Sequence, residues 1–177
     1  MNIRAAAVEI KQEATGWRRA MHQNPQTAYE ETFAADLIAK QLTAWQIPFE
    51  SGIAETGIVA TVRGRVESTR TLGLRADMDA LDIDEKTTQP WKSNNDHKMH
   101  ACGHDGHTAM LLGAAKCLSD APDFAGTVRL IFQPAEEGRR GADRMLEEGL
   151  FERFQCDQIF ALHNSPWLPL GLSLIHI

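Results

Sequence analysis

The chain has 177 residues, with 18 basic and 24 acidic side chains and a formal net charge of −6. No basic stripe is available to neutralise phosphates, which speaks against nucleic-acid binding. The 43% hydrophobic and 24% charged content is that of an ordinary water-soluble domain, and no apolar run approaches the roughly 20 residues that span a bilayer.

The stretch from Met1 to Lys11 mixes acidic and basic side chains where a leader peptide would be apolar, so a cytoplasmic location is expected. Residues 3–22 read as a helix carrying Ala5, Val8, Ile10 and Trp17 among charges, stopped at Asn24-Pro25. Residues 30–46 read as a second helix, with Phe33, Leu37, Ile38, Leu42 and Trp45 at helical spacing and Pro48 beyond it. Residues 58–62 and 72–76 are short β-rich runs, separated by a polar turn at 63–70. A helix with a buried face is expected over 105–119, a strand over 128–132, a short helix over 140–149 stopped by Gly149, and a strand over 159–162. Three cysteines do not make a disulfide framework; Cys117 and Cys156 read as small, buried and inert.

Helices alternating with nearly continuous apolar strands predict an α/β sheet covered on both faces. In such sheets ligands gather where strands end. Asp77-Met78-Asp79, Glu136-Glu137 and His163-Asn164 all fall at expected strand ends, and the dense cluster Met99-His-Ala-Cys-Gly-His-Asp-Gly-His107 precedes a helix.

Cys102 and His104 are two apart and can face the same way, and a thiolate with an imidazole suits zinc or a neighbouring first-row metal. Two such ligands rarely suffice. Glu136 and Glu137 diverge as neighbours, so one can bind metal while the other deprotonates a water. His163 can add a ligand, and Asp79 is placed to orient a ligating imidazole. His22, His97 and His176 read as surface histidines. His107, one helical turn from His104, reads as either a ligand or a packing group. Asp82, Asp84 and Glu85 read as a solvated loop.

Four ordered motifs carry a resemblance: Arg75-Ala-Asp-Met-Asp-Ala-Leu81, Met99 to His107, Phe132-Gln-Pro-Ala-Glu-Glu-Gly138 and Leu162-His-Asn164. Together they resemble the M20 metallopeptidase family, in the amidohydrolase branch of hippurate and other N-acyl-amino-acid hydrolases. The resemblance runs from about His22 to Gly171. It implies a three-layer, zinc-peptidase-like catalytic domain around a mostly parallel mixed sheet. It also implies two divalent metal ions, manganese or zinc first and nickel or cobalt next. The ligands would be Cys102 (bridging), His104, Glu137 and His163, with Glu136 the general base and Asp79 behind the ligands. The substrate implied is a small N-acyl amino acid, cleaved to a carboxylic acid and an amino acid by a homo-oligomeric parent enzyme. Gln26, Asp82 and His97 depart from the family pattern without touching these ligands.

The family's members are considerably longer. They add a lid and dimerisation domain, then a return to the catalytic domain with a last metal-binding histidine. Residues 1–171 are therefore expected to be the N-terminal part of a catalytic domain, and 172–177, unlike the family's continuation, a non-native tail. Two other readings stand beside the amidohydrolase: a cysteine hydrolase using Cys102, and a metal-binding fragment without activity.

Overall fold

The computed structural model describes residues 3–173; His176 and the end of the expected tail lie outside the described residues. The chain order is α1 (Ile3–Gln23), α2 (Thr32–Ala44), β1 (Phe49–Ile53), β2 (Gly57–Arg63), β3 (Val66–Asp77), α3 (His104–Asp120), β4 (Ala125–Gln133), α4 (Gly141–Glu147), α5 (Leu150–Arg153) and β5 (Gln158–Ala161). The five strands form one sheet in the order β1-β2-β4-β3-β5. β3 runs parallel to both β4 and β5, whereas β2 is antiparallel to β4 and to β1. Four strands thus point one way and only β2 opposes them, the mostly parallel mixed sheet that was expected.

Alternation along the central strands builds the three layers. Ile58, Ala60 and Val62 of β2, with Val128, Leu130 and Phe132 of β4, join Trp17 and Met21 of α1, Ile38 and Leu42 of α2, and Leu111 and Leu112 of α3 in one core. Val59 and Ile131 point the other way, to Met145, Leu150 and Phe154. The Trp17 and Trp45 rings meet edge to face, 5.4 Å between centroids, and tie α1 to the end of α2.

The largest departure from the expected elements is β3. The polar segment 63–70 is not a turn: β3 starts at Val66, and only Gly64 and Arg65 separate it from β2. This short link crosses the start of β4. A Cβ on Gly64 would lie 2.1 Å from the Phe124 carbonyl oxygen, so the crossing requires glycine. β1 and α5 were not anticipated. β1 is an edge strand with a Gly52 (φ +81°) and a register shift, and α5 is a single turn.

Sequence neighbours β2 and β3 are separated in space by β4. The consequence for the site is that β3, β4 and β5 lie side by side and parallel, with Asp77 opposite Gln133 and Arg75 opposite Ala161. Their C-terminal ends finish at one rim of the sheet, where α3 begins.

Candidate metal centre

α3 opens at His104, capped by Gly103 in the left-handed region (φ +92°). His104 is fully buried. Its Nδ1–H donates to the Asp79 backbone oxygen at 2.9 Å and faces Asp79 Oδ1 at 3.3 Å. This fixes the tautomer and leaves Nε2 as the lone-pair nitrogen. That Nε2 is buried without a hydrogen-bond partner, and so is Glu137 Oε1, 3.8 Å away. Two orphaned buried polar atoms facing each other are costly unless something else occupies them.

Cys102 completes the group. One donor atom each from Cys102, His104 and Glu137 lie within 4.8 Å of one another. Cys102 Sγ also lies 3.4 Å from His163 Nε2. His163, Asp77, His104 and His107 form a second, overlapping set within the same distance. All four expected ligand residues therefore meet at the rim of the sheet. Glu136 Oε2 lies 3.9 Å from His104 Nε2, with its side chain 42% exposed against 24% for Glu137, so it faces the solvent side of the cluster. Asp79 is buried beneath, accepting from the Glu137 backbone N–H at 2.8 Å as well as facing His104.

The electrostatics are one-sided. Burial and the neighbouring Glu137, Glu136 and Asp77 carboxylates push the Cys102 thiol up to about 11. Burial works against a charged His104, yet Asp79, Asp77 and Glu137 outweigh it and raise its pKa. The site favours positive charge where His104 Nε2 points. A thiol held neutral by carboxylates is a weak nucleophile, whereas the same donors around a cation are stable as thiolate, imidazole and carboxylate. The residues present fit a divalent metal.

The loop carrying Glu136 and Glu137 is fixed by residues that the sequence did not single out. Buried Glu31 accepts from the Ala135 N–H at 2.8 Å and from the Thr56 hydroxyl at 2.6 Å. Ala135 sits at φ +54°, a strained conformation for a residue with a Cβ. Gly141 N–H returns to the Ala135 oxygen at 2.9 Å. A Cβ on Gly141 would lie 1.8 Å from the Pro134 carbonyl oxygen, so that return admits only glycine.

Several side chains differ from expectation. His22 is buried, not a surface group: Nδ1 lies 2.8 Å from Asp105 Oδ2 and Nε2 3.3 Å from Glu85 Oε1. Glu85, expected in a solvated loop, is buried beneath it and also accepts from the Ser93 N–H at 2.7 Å and the Thr87 hydroxyl. Long-range pairing of this kind carries no local periodicity and leaves no signal in the sequence. Cys117 and Cys156 are half-buried rather than fully buried, while His97 is exposed as expected.

A mixed sheet whose parallel strand ends carry a thiol, imidazoles and carboxylates defines an α/β metal-site domain. Residues 73–176, more than half of the chain, match the model of peptidase family M20/M25/M40, and the chain belongs to that family. It is 42% identical over 94% of its length to hippurate hydrolase of Campylobacter jejuni, of which it covers 43%. It is 44% identical over 88% of its length to IAA-amino acid hydrolase ILR1-like 5 of Arabidopsis thaliana, of which it covers 35%. The crystal structure of the Bacillus subtilis YXEP protein, described as a dinuclear metal-binding peptidase of family M20, superposes with a TM-score of 0.85 at 39% identity; the match covers 90% of this chain and 44% of that one. The chain thus spans less than half the length of the relatives that it matches. No helix among the described residues is long and apolar enough to cross a membrane.

Proposed function

We propose that this chain is the metal-binding part of a dinuclear amidohydrolase that cleaves small N-acyl amino acids. The observation that carries the reading is the convergence of Cys102, His104 and Glu137 around two orphaned buried atoms, with His163 alongside. The hippurate hydrolase and IAA-amino acid hydrolase relatives support the substrate class, and the dinuclear neighbour supports two ions. Manganese and zinc are the proposed occupants, since thiolate, imidazole and carboxylate together suit such ions.

Divalent ions held there would supply Lewis acidity, polarising an amide carbonyl and lowering the pKa of water. Glu136 is the general base: its carboxylate is beside the ligands, more exposed than Glu137, and bound to neither Asp79 nor His104 by a hydrogen bond. It takes a proton from the attacking water and returns it to the leaving amine. Glu137 and His104 bind, and Asp79 holds both in place. Cys102 is a ligand and not a nucleophile. Residues 1–171 are proposed as the N-terminal part of the catalytic domain. We propose that the parent carries its lid, its dimerising surface and a further ligand histidine outside these residues; that the chain covers 43% and 44% of two relatives supports this.

The test is hydrolysis of an N-benzoyl amino acid by the parent enzyme before and after chelation. Activity should be lost with the metal and return with Mn²⁺ or Zn²⁺. Undiminished turnover by metal-free enzyme would refute the proposal, and an acyl-enzyme trapped on Cys102 would favour the thiol mechanism.

A further inference from the structure

Resting on the metal-centre reading, we infer that Asp77, His107 and Asn164 form a relay that positions His163 for metal binding, and that His107 is not itself a ligand. The need for such a device follows from where His163 sits. It lies two residues beyond β5, a four-residue strand whose side chains are all exposed and which pairs only with β3. An edge strand this short does not fix the direction of a side chain in the segment that follows it.

The neighbouring Asn164 supplies what β5 lacks. The His163 Nδ1–H donates to the Asn164 backbone oxygen at 2.9 Å, which sets the tautomer and turns Nε2 toward Cys102. Asn164 is in turn held on α3. Asn164 meets His107 Nε2 from two sides, with its backbone N–H at 3.0 Å and its side-chain Oδ1 at 2.7 Å; the neutral ring accepts from the N–H and the imidazolium donates to Oδ1, so one of the two bonds is made at a time. The space for that amide exists because residue 103 is glycine, where a Cβ would lie 2.3 Å from Asn164 Oδ1. His107 is buried in the first turns of α3, and its Nδ1–H donates to Asp77 Oδ1 at 2.7 Å. Asp77 is anchored by Arg75 at 2.8 Å, which also donates to Gln133 Oε1 at 2.8 Å. The relay therefore runs from the ends of β3 and β4, through α3, to the segment after β5.

Both ring nitrogens of His107 are engaged, one by Asp77 and the other by Asn164. His107 falls within ligand distance of His104 and His163 but has no free lone pair to offer. Its 4.5 Å edge-on contact with the His163 ring is packing.

The experiment is X-ray absorption of the 177-residue chain loaded with Zn²⁺, counting imidazoles per metal, together with Zn²⁺ affinity by competition with a chromophoric chelator. The variants are H163A, N164A, H107Q and H107L. N164A keeps the backbone N–H and oxygen that meet His107 and His163, so it should keep the imidazole count, whereas H107L should lose the same imidazole contribution as H163A and bind metal about 10–100-fold more weakly at that position, the usual effect of removing a ligand's supporting partner. H107Q, whose amide can donate to Asp77 and accept from Asn164, should keep the imidazole count that H107L loses. H107Q keeps polar atoms against Asp77 and Asn164, so the comparison does not depend on the core tolerating H107L alone. An H107L chain with the wild-type imidazole count and affinity would overturn the inference, as would an H107Q chain that loses the imidazole. A wild-type chain whose zinc carries no imidazole would overturn the metal-centre reading itself and the relay with it.

Discussion

Asp79→Ala tests the architecture of the centre most directly. The carboxylate is buried, accepts from the Glu137 N–H at 2.8 Å and faces His104 Nδ1 at 3.3 Å. Burial alone would raise its pKa, but the hydrogen bonds from His104 and from the Glu136–Glu137 backbone lower it, so it stands ionised. In the alanine variant His104 keeps its 2.9 Å bond to the residue 79 carbonyl, whereas the Glu137 N–H is left without an acceptor. One unsatisfied buried donor costs about 1–3 kcal/mol, which for a chain of this size lowers the melting temperature by roughly 2–4 °C per kcal/mol. Metal affinity should fall about 10–100-fold, because the Glu137 backbone and the His104 ring lose their common support. Urea denaturation of the metal-free chain reads the first effect and Zn²⁺ competition the second. Asp79→Asn should fall between wild type and alanine, since the amide oxygen can serve only one of the two donors. A fully stable Asp79→Ala chain with unaltered zinc affinity would refute the assignment of Asp79 as the support of the site.

Glu136→Gln in the parent enzyme should retain its metal, measured by elemental analysis, while turnover falls about 10²–10⁴-fold, the usual worth of a general base; loss of the metal would instead make Glu136 a ligand. Gly141→Ala should destabilise the chain by about 1–3 kcal/mol through overpacking against Pro134 and weaken metal binding by moving the Glu136–Glu137 loop. Unaltered melting and zinc affinity would show that the loop can shift freely. His22 gives a pH signature. The hydrogen bond to Asp105 is the main cause that raises its pKa, with Glu85 adding to it and burial opposing. A raised folded-state value contributes stability that is fully present below the unfolded value of about 6.5 and is lost as pH rises through the folded value. The melting-temperature difference between wild type and His22→Gln should therefore be larger at pH 6 than at pH 8.5. Taking the difference cancels His100, which burial pushes down to about 4 and which acts with the opposite sign. A difference that is constant or grows with pH would contradict the buried imidazolium.

The long helices and central strands were legible because their apolar periodicity is local: Phe33, Ile38 and Leu42 mark a face of α2 whatever surrounds it. The donor residues were legible for a different reason. Thiol, imidazole and carboxylate groups crowd four short motifs, three of them next to strand ends and one at the start of α3. What stayed hidden depends on partners distant in sequence. Residues 66–70, within the expected polar turn at 63–70, are exposed on both faces of β3, and only pairing of Val66 with Ala125 of β4 extends the strand that far. His22 meets Asp105 across 83 positions, and Glu31 meets Ala135 across 104. The role of glycine at 103 or 141 appears only when the opposing Asn164 or Pro134 is in place.

The sheet order explains why four separated motifs suffice to build one centre. Had β3 paired with its sequence neighbour β2, Asp77 and Gln133 would not be adjacent, and the carboxylates that follow each strand would end apart. Inserting β4 between them sets Asp77 opposite Gln133, so Asp79 and Glu137 reach each other within two and four residues of their strand ends. The crossing that permits this order is the link at Gly64. A glycine far from the metal donors is thus a condition for their convergence. Its substitution by a larger residue should disturb the register of β3 against β4, and with it the Asp79–Glu137 bond, before it alters any donor itself.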